Sequence, residues 1–200
     1  PVGHNDDADR AVRAAIAMLR ELNAWNRGRI NEGKMAVDIG IGLNTDNVVS
    51  GNIGSKKRMD YTIIGDGVNL AARLESACKQ YGAHLLISEF TYKALKATYF
   101  SRELDLVVVK GKTRPVAIHE ILDYHTEESY PQMIDALRHF KSGLVKYRQQ
   151  KWGDAKSEFS EVLALNEHDK PAKLYIERCE HFLANPPGAD WDGVWVMESK

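Results

Sequence analysis

Apolar positions recur at two periods along this chain, and the switches between them mark its elements. In DDADRAVRAAIAMLRELNAWNRG, Val12, Ile16 and Leu19, with Ala15, Met18, Leu22 and Trp25, recur at helical spacing. Asp6 and Asp7 suit the start of that helix and Gly28 its stop. MAVDIGIGLN alternates instead. Val37, Ile39, Ile41 and Leu43 share one face, and Asp38, Gly40, Gly42 and Asn44 the other, which predicts a strand with one buried face. The turn NTDN leads to VVSGN, and the two runs read as a hairpin. The loop IGSKKR and the strand MDYTII follow. After Gly65-Asp66-Gly67 a second helix carries Leu70, Leu74, Ala77 and Tyr81 as its apolar stripe, and Gly82 ends it. AHLLIS is a short buried strand, and SEFTYKALKATY a helix with Ser88 as its cap. ELDLVVVKGKTRPVAIHEIL gives two strands joined at GKTRP. Strands and helices mix without strict alternation, so the fold class is α+β with a largely antiparallel sheet.

The pattern changes at DYHTEESYP. Residues 123–131 are polar, end in Pro and read as a linker between a domain at 1–122 and a helical extension at 132–184. Gly143, Ala155, Phe159 and Val162 fall at the relative spacings of one tetratricopeptide unit, with a turn at QQKWGD. KPAKLYIERCEHFLA would add a third helix. A lone unit cannot bury its own face, so it must dock on the main domain, a partner subunit or further sequence. The tail at 185–200 holds two Pro and two Trp and reads as an extension pinned by its tryptophans.

Composition narrows the function classes. The 200 residues are 44% hydrophobic and 28% charged, a globular balance. A formal net charge of −1 supplies no field toward nucleic acid or an anionic membrane. No run is apolar enough to span a bilayer, and no secretory leader is evident, so a cytoplasmic setting is expected, including the cytoplasmic part of a membrane-anchored protein. The chain starts without Met and reads as a piece of a longer protein. Cys78 and Cys179 form no CxxC, and the seven histidines show no metal-ligand spacing.

One constellation stands out. In RMDYTIIGDGVNLAARLES, Asn69 and Arg73 sit four apart in the first turns of a helix fed by a glycine turn. Such a setting favours an anion, and Arg suits charge spread over phosphoryl oxygens. GDG is not a dinucleotide fingerprint, and GSKK is not a phosphate loop. An amphipathic helix would carry such a pair on its exposed side for solubility alone.

The run NIGSKKRMDYTIIGDGVNLAARLES resembles the C-terminal half of a class III nucleotide cyclase catalytic domain. The resemblance reaches back through DIGIGLNTDNVVSGNIGS and forward to VVVKGKTRPVAIHEIL, about residues 8 to 122. It implies a ferredoxin-like cyclase fold, its N-terminal part missing, with a short all-α extension of a kind seen in some bacterial members. It implies conversion of ATP or GTP to the 3′,5′-cyclic nucleotide and pyrophosphate by a homodimer with sites at the interface. It places Asn69 on the ribose, Arg73 on the α-phosphate in the transition state, Lys110 on the terminal phosphates and Thr62 against the purine. Lys56, Lys57 and Arg58 fall in an arm that reaches the other subunit.

Two metal-binding aspartates belong to the family's first half, absent here. Mg²⁺ or Mn²⁺ is expected as cofactor, with ligands upstream, and no metal ligand is assigned. Asp38 reads as the polar face of a strand, Asp46 as a turn residue and Asp66 as a helix-start charge. The chain alone would then carry a half-site and be inactive. Thr62 leans the reading toward adenylate cyclase. A guanylate cyclase, a non-catalytic cyclase-like regulatory module and a helical adaptor are the alternatives.

Overall fold

Two glycines let a helix lie directly on the sheet. The computed structural model describes residues 2–55, 58–107, 115–188 and 190–194, the side chain of Arg58 excepted. These form α1 (Asp7–Asn31), β1 (Ile41–Leu43), β2 (Val49–Ser55), β3 (Arg58–Ile64), α2 (Asp66–Tyr81), β4 (Leu85–Ser88), α3 (Glu89–Ala94), β5 (Ser101–Val107), β6 (Val116–Ile121), α4 (Met133–Arg148), α5 (Trp152–Leu165) and α6 (Lys170–Ala184). Ile39, Ile41 and Leu43 pack with the buried face of α1, as their alternation requires. The opposite face is not solvated. A Cβ on Gly42 would lie 2.3 Å from the Ala71 carbonyl oxygen, and one on Gly40 2.8 Å from Cys78 Cβ. Glycine is the only residue that allows this approach of α2.

The mixed sheet has the order β1-β4-β6-β5, with β1 parallel to β4 and the other pairs antiparallel. The α+β class with a largely antiparallel sheet follows. The expected pairing of β1 with β2 does not. β1 pairs with β4, Ile41 against Leu85, and the hairpin is β2–β3, Val49 against Ile64. Alternation fixes which face of a strand is buried but not its neighbour, and a parallel neighbour needs a crossover, here α2.

Buried residues of the two faces alternate along β4. Leu85 and Ile87 join Ile121 and α1 residues Val12, Ala15, Ile16 and Leu19. Leu86 joins Leu104, Ile118 and the stripe of α2. Met18 and Trp25 of α1, expected in the apolar stripe, are exposed. The helix also runs through Gly28 to Asn31, and the left-handed turn falls at Gly33, φ +71°. A mid-helix glycine costs about 1 kcal/mol and does not by itself stop a helix. α3 is shorter than its pattern. Ser88 does cap it, accepting from Thr91 N. Beyond Ala94, however, the buried Asp9 carboxylate draws the chain away by accepting Lys96 N and Ala97 N, both at 3.0 Å. Burial works against that charge, but these donors and the Tyr99 hydroxyl hold Asp9 below its usual range.

The polar stretch 123–131 is pinned, with Tyr124 and Tyr130 both buried. Beyond it α4, α5 and α6 pack in sequence, and their core is continuous with that of the sheet and α2. A Cβ on Gly143 would meet the Phe159 ring at 2.9 Å, so glycine sets the approach of α4 and α5. The Trp191 ring closes against Tyr147, Trp152 and Phe182. Trp195 lies outside the described residues.

Two outcomes follow. Gly42→Ala forces α2 off β1, and thermal unfolding is expected to show a loss of about 1–3 kcal/mol. Glu158 of α5 accepts from Lys146 Nζ (2.7 Å), pairs with His139 Nδ1 (2.7 Å) and accepts from Ser142 Oγ (2.9 Å), all on α4. Lys146 first, then His139, pulls its pKa from 4.5 to about 2. A carboxyl depressed in the folded state stabilises above its unfolded pKa and loses that contribution as pH falls toward its folded one. Stability should therefore decline from pH 4.5 toward about 2, with a shallower decline in Glu158→Gln, as read by acid unfolding.

Candidate functional site

The site is built where the hairpin hands the chain to α2. β3 ends at Ile64, and Gly65 precedes the helix in extended conformation, without a side chain to cap it. Val68 N and Asn69 N return to the Gly65 carbonyl at 3.1 and 3.4 Å. The start of α2 is also tied to the sheet. Asn44, just past β1, donates from Nδ2 to the Gly67 carbonyl at 3.0 Å, and Ser88 Oγ donates to Asn44 Oδ1 at 2.6 Å. A Cβ on Gly67 would strike Asp46 Cβ at 2.5 Å. The second glycine of Gly-Asp-Gly is thus a packing requirement of the turn that follows β1.

From this fixed origin Asn69 and Arg73 emerge on one exposed face, while their neighbours Leu70 and Leu74 are buried against the sheet. Among the described residues no hydrogen bond engages the Asn69 side chain, and no carboxylate pairs with Arg73. An amide and a guanidinium held on an anchored helix without internal partners can bind an external oxygen-rich anion. Asp66 occupies the first turn of α2, so its own charge already meets the positive end of the helix. An anion held at this face would therefore be drawn by Arg73 rather than by the helix start.

Two recesses flank this face. One, of about 430 Å³, is lined by Ile63, Ile64, Gly65, Asp66, Val68 and Asn69. The other, of about 450 Å³, is an apolar groove that includes Leu70, Arg73, Ala77, Tyr81, Val107 and Ile118. Asn69 and Arg73 thus share a face but line different recesses. Thr62 lies on β3 opposite Gly51, exposed, and lines neither. Lys110 lies outside the described residues, as do Lys56 and Lys57. Val107, the last described residue of β5, lines the Arg73 groove.

The aspartates do not converge. Asp38 lies before β1 and pairs with His84 at 2.9 Å. Asp46 accepts from Asn47 N within the turn. Among the described residues no group of three His, Cys, Asp or Glu side chains could hold a metal. The side chains described here therefore do not fit a divalent-cation site, which needs several convergent oxygens. Sequence reasoning missed Asn44 and Ser88 as supports of the helix start. Their only local signal was a polar residue closing each apolar strand.

The family profile of the adenylate and guanylate cyclase catalytic domain matches residues 2–126. The chain belongs to this family. It is 34% identical over 175 residues to an adenylate cyclase, terminal-differentiation specific, of Dictyostelium discoideum, covering 86% of this chain and 8% of that protein. It is 38% identical over 122 residues to an adenylate cyclase of Anabaena cylindrica, covering 58% of this chain and 24% of that protein. The chain thus spans less than a quarter of either relative. The likeness over 175 residues cannot fit within the first 126, so it carries into the helical extension. Among solved structures, the adenylyl cyclase CyaB from P. aeruginosa is 36% identical with a TM-score of 0.53, covering 64% of this chain and 63% of that one. The guanylyl cyclase Cya2 is also 36% identical, with a TM-score of 0.51 over 60% of each chain.

The tie between Asn44 and Gly67 is testable in this cyclase domain. Asn44→Ala removes two hydrogen bonds, the one it donates to the Gly67 carbonyl and the one it accepts from Ser88 Oγ, a cost of about 1–2 kcal/mol. Hydrogen exchange of the amides at 66–70 should speed up by about tenfold if local opening governs it.

Proposed function

We propose that the protein carrying this domain is an adenylate cyclase, converting ATP to 3′,5′-cyclic AMP and pyrophosphate, and that this segment supplies half of its site. The observation that carries the reading is the Asn69–Arg73 pair, without a partner among the described residues, on a helix anchored at its start. In the reaction the ribose 3′-oxygen bonds to the α-phosphorus, the bond to the bridging oxygen of pyrophosphate breaks, and the 3′-hydroxyl proton is lost. Asn69 holds the ribose so that attack is in line. Arg73 donates to the α-phosphate oxygens, where its planar fork meets charge that grows in the transition state. Lys110 holds the terminal phosphates, and Thr62 faces the purine.

Members of this family use divalent metal ions. The ligands for Mg²⁺ or Mn²⁺ are assigned to the part of the domain that precedes this segment, and no step is routed through them here. The β2–β3 hairpin exposes Val49, Met59, Tyr61 and Ile63, which supports burial against a second copy in a homodimer that completes the site. Among the described residues no helix is long and apolar enough to cross a membrane. We place the domain in the cytoplasm, where its nucleotide substrate resides. Guanylate cyclase activity is the second reading, favoured by a sequence identity to Cya2 equal to that to CyaB.

Arg73→Ala in the intact protein tests the assignment. Loss of a donor acting in the transition state should lower kcat for cyclic AMP by about 100-fold or more, while KM for ATP moves by no more than about threefold. An unchanged kcat would remove Arg73 from the chemistry and favour a regulatory, non-catalytic module.

A further inference from the structure

The helical extension grips the far end of the helix that carries Asn69 and Arg73. Tyr81, the last residue of α2, donates its hydroxyl to Asp105 Oδ2 at 2.7 Å, and Arg178 of α6 donates Nη1 to the same oxygen at 2.7 Å. All three side chains are buried. One carboxylate oxygen on β5 thus joins α2 to α6. Beside it, the Tyr175 hydroxyl of α6 donates to the Leu104 carbonyl. Gly82, which ends α2 at φ +66°, is covered by the side chain of Lys170, so close that a Cβ there would lie 2.2 Å from Lys170 Cδ.

The strand is shaped for this. β5 is out of register with β6 between Glu103 and Asp105, a bulge that leaves Leu104 as the extra residue. A bulge lets neighbouring side chains face one way, and here Arg102, Leu104 and Asp105 are all buried. Arg102 makes a second tie to α6, donating Nη1 to Asp169 Oδ2 at 2.6 Å, while Asp169 Oδ1 caps α6 at Ala172 N, 2.8 Å. Hence α6 is held to β5 by two buried ion pairs, and the Arg178–Asp105 pair is shared with α2. α2 is fixed at its start by Asn44 and at its end by this junction. Arg73 sits two turns before Tyr81 on the same rigid rod.

We propose that α6 sets the orientation of α2, with Arg178 acting through Asp105 and Tyr81 as a positioning residue for Asn69 and Arg73. The inference rests on the reading of those two residues as the substrate-binding half-site. The extension is then part of the catalytic apparatus rather than an appended adaptor. Removing the junction frees the end of α2 to tilt, which displaces Arg73 from the α-phosphate while Asn44 still holds the start. Misplacement of this kind reduces turnover more than ground-state binding.

The test uses the intact protein with Tyr81→Phe, Arg178→Lys and the paired change Asp105→Asn/Arg178→Met, which leaves no lone buried charge. Turnover of Mg²⁺–ATP, thermal unfolding and hydrogen exchange along α2 are measured on each. Tyr81→Phe is expected to lower kcat by about tenfold, with KM within about twofold and exchange faster back along α2 from its end as far as residues 71–74. Arg178→Lys is expected to recover most of the activity that the paired change loses. Activity that falls only with the folded fraction, or faster exchange confined to residues 79–84 and α6, would overturn the proposal. A wild-type protein that makes no cyclic nucleotide would count against the proposed function instead, and the exchange pattern would still decide this inference.

Discussion

The structure depends on how closely α2 lies on β1. Gly40 and Gly42 strip the strand of side chains on one face, so backbone meets backbone where Gly42 faces Ala71 and Glu75. That contact places the start of α2 beside the turn after β1, where Asn44 and Gly67 lock together. It also lets Leu70 and Leu74 reach the sheet core, which leaves Asn69 and Arg73 on the outside. The exposed pair is therefore a consequence of a buried one. A bulkier residue at position 42 would move Asn69 and Arg73 as a body.

Much of this could be read from the sequence because it is local. Period 3.6 found the buried stripe of α2, period 2 found β1, and Ser88 announced α3. Non-local choices were hidden. β1 was expected to pair with β2, whereas the crossover through α2 sets it beside β4. Gly28 looked like a stop because it is the first glycine after the apolar stripe, yet the chain breaks at Gly33. Gly40 and Gly42 read as the bare side of a strand, whereas they are its tightest contact.

The site was legible to the same degree. Asn69 and Arg73 are four residues apart on one helix, so their common face follows from the period alone. Thr62 and Lys110 rest on resemblance alone: Thr62 is exposed on β3 and lines neither recess beside α2, and Lys110 lies outside the described residues. The buried ties of Arg102 to Asp169 and of Arg178 to Asp105 join residues 67 and 73 positions apart, and nothing in either local pattern pairs them. Buried charges of this kind add little net stability, but removing one partner is costly. Their effect is to fix one register of the helical extension against β5. The stretch at 123–131 hides non-local contacts of the same kind: Tyr124 packs with residues of α1 and the sheet, and Tyr130 donates to Asp169.

The central claim is that this fold presents a ribose- and phosphate-binding half-site to ATP. The most direct measurement is product analysis of the intact wild-type protein given ATP or GTP with Mg²⁺ or Mn²⁺. The account requires 3′,5′-cyclic AMP and pyrophosphate from ATP in equal amounts, with GTP the poorer substrate. Cyclic GMP as the main product would retain the half-site and contradict the part given to Thr62. No cyclic nucleotide from a folded protein with either substrate would contradict the account itself.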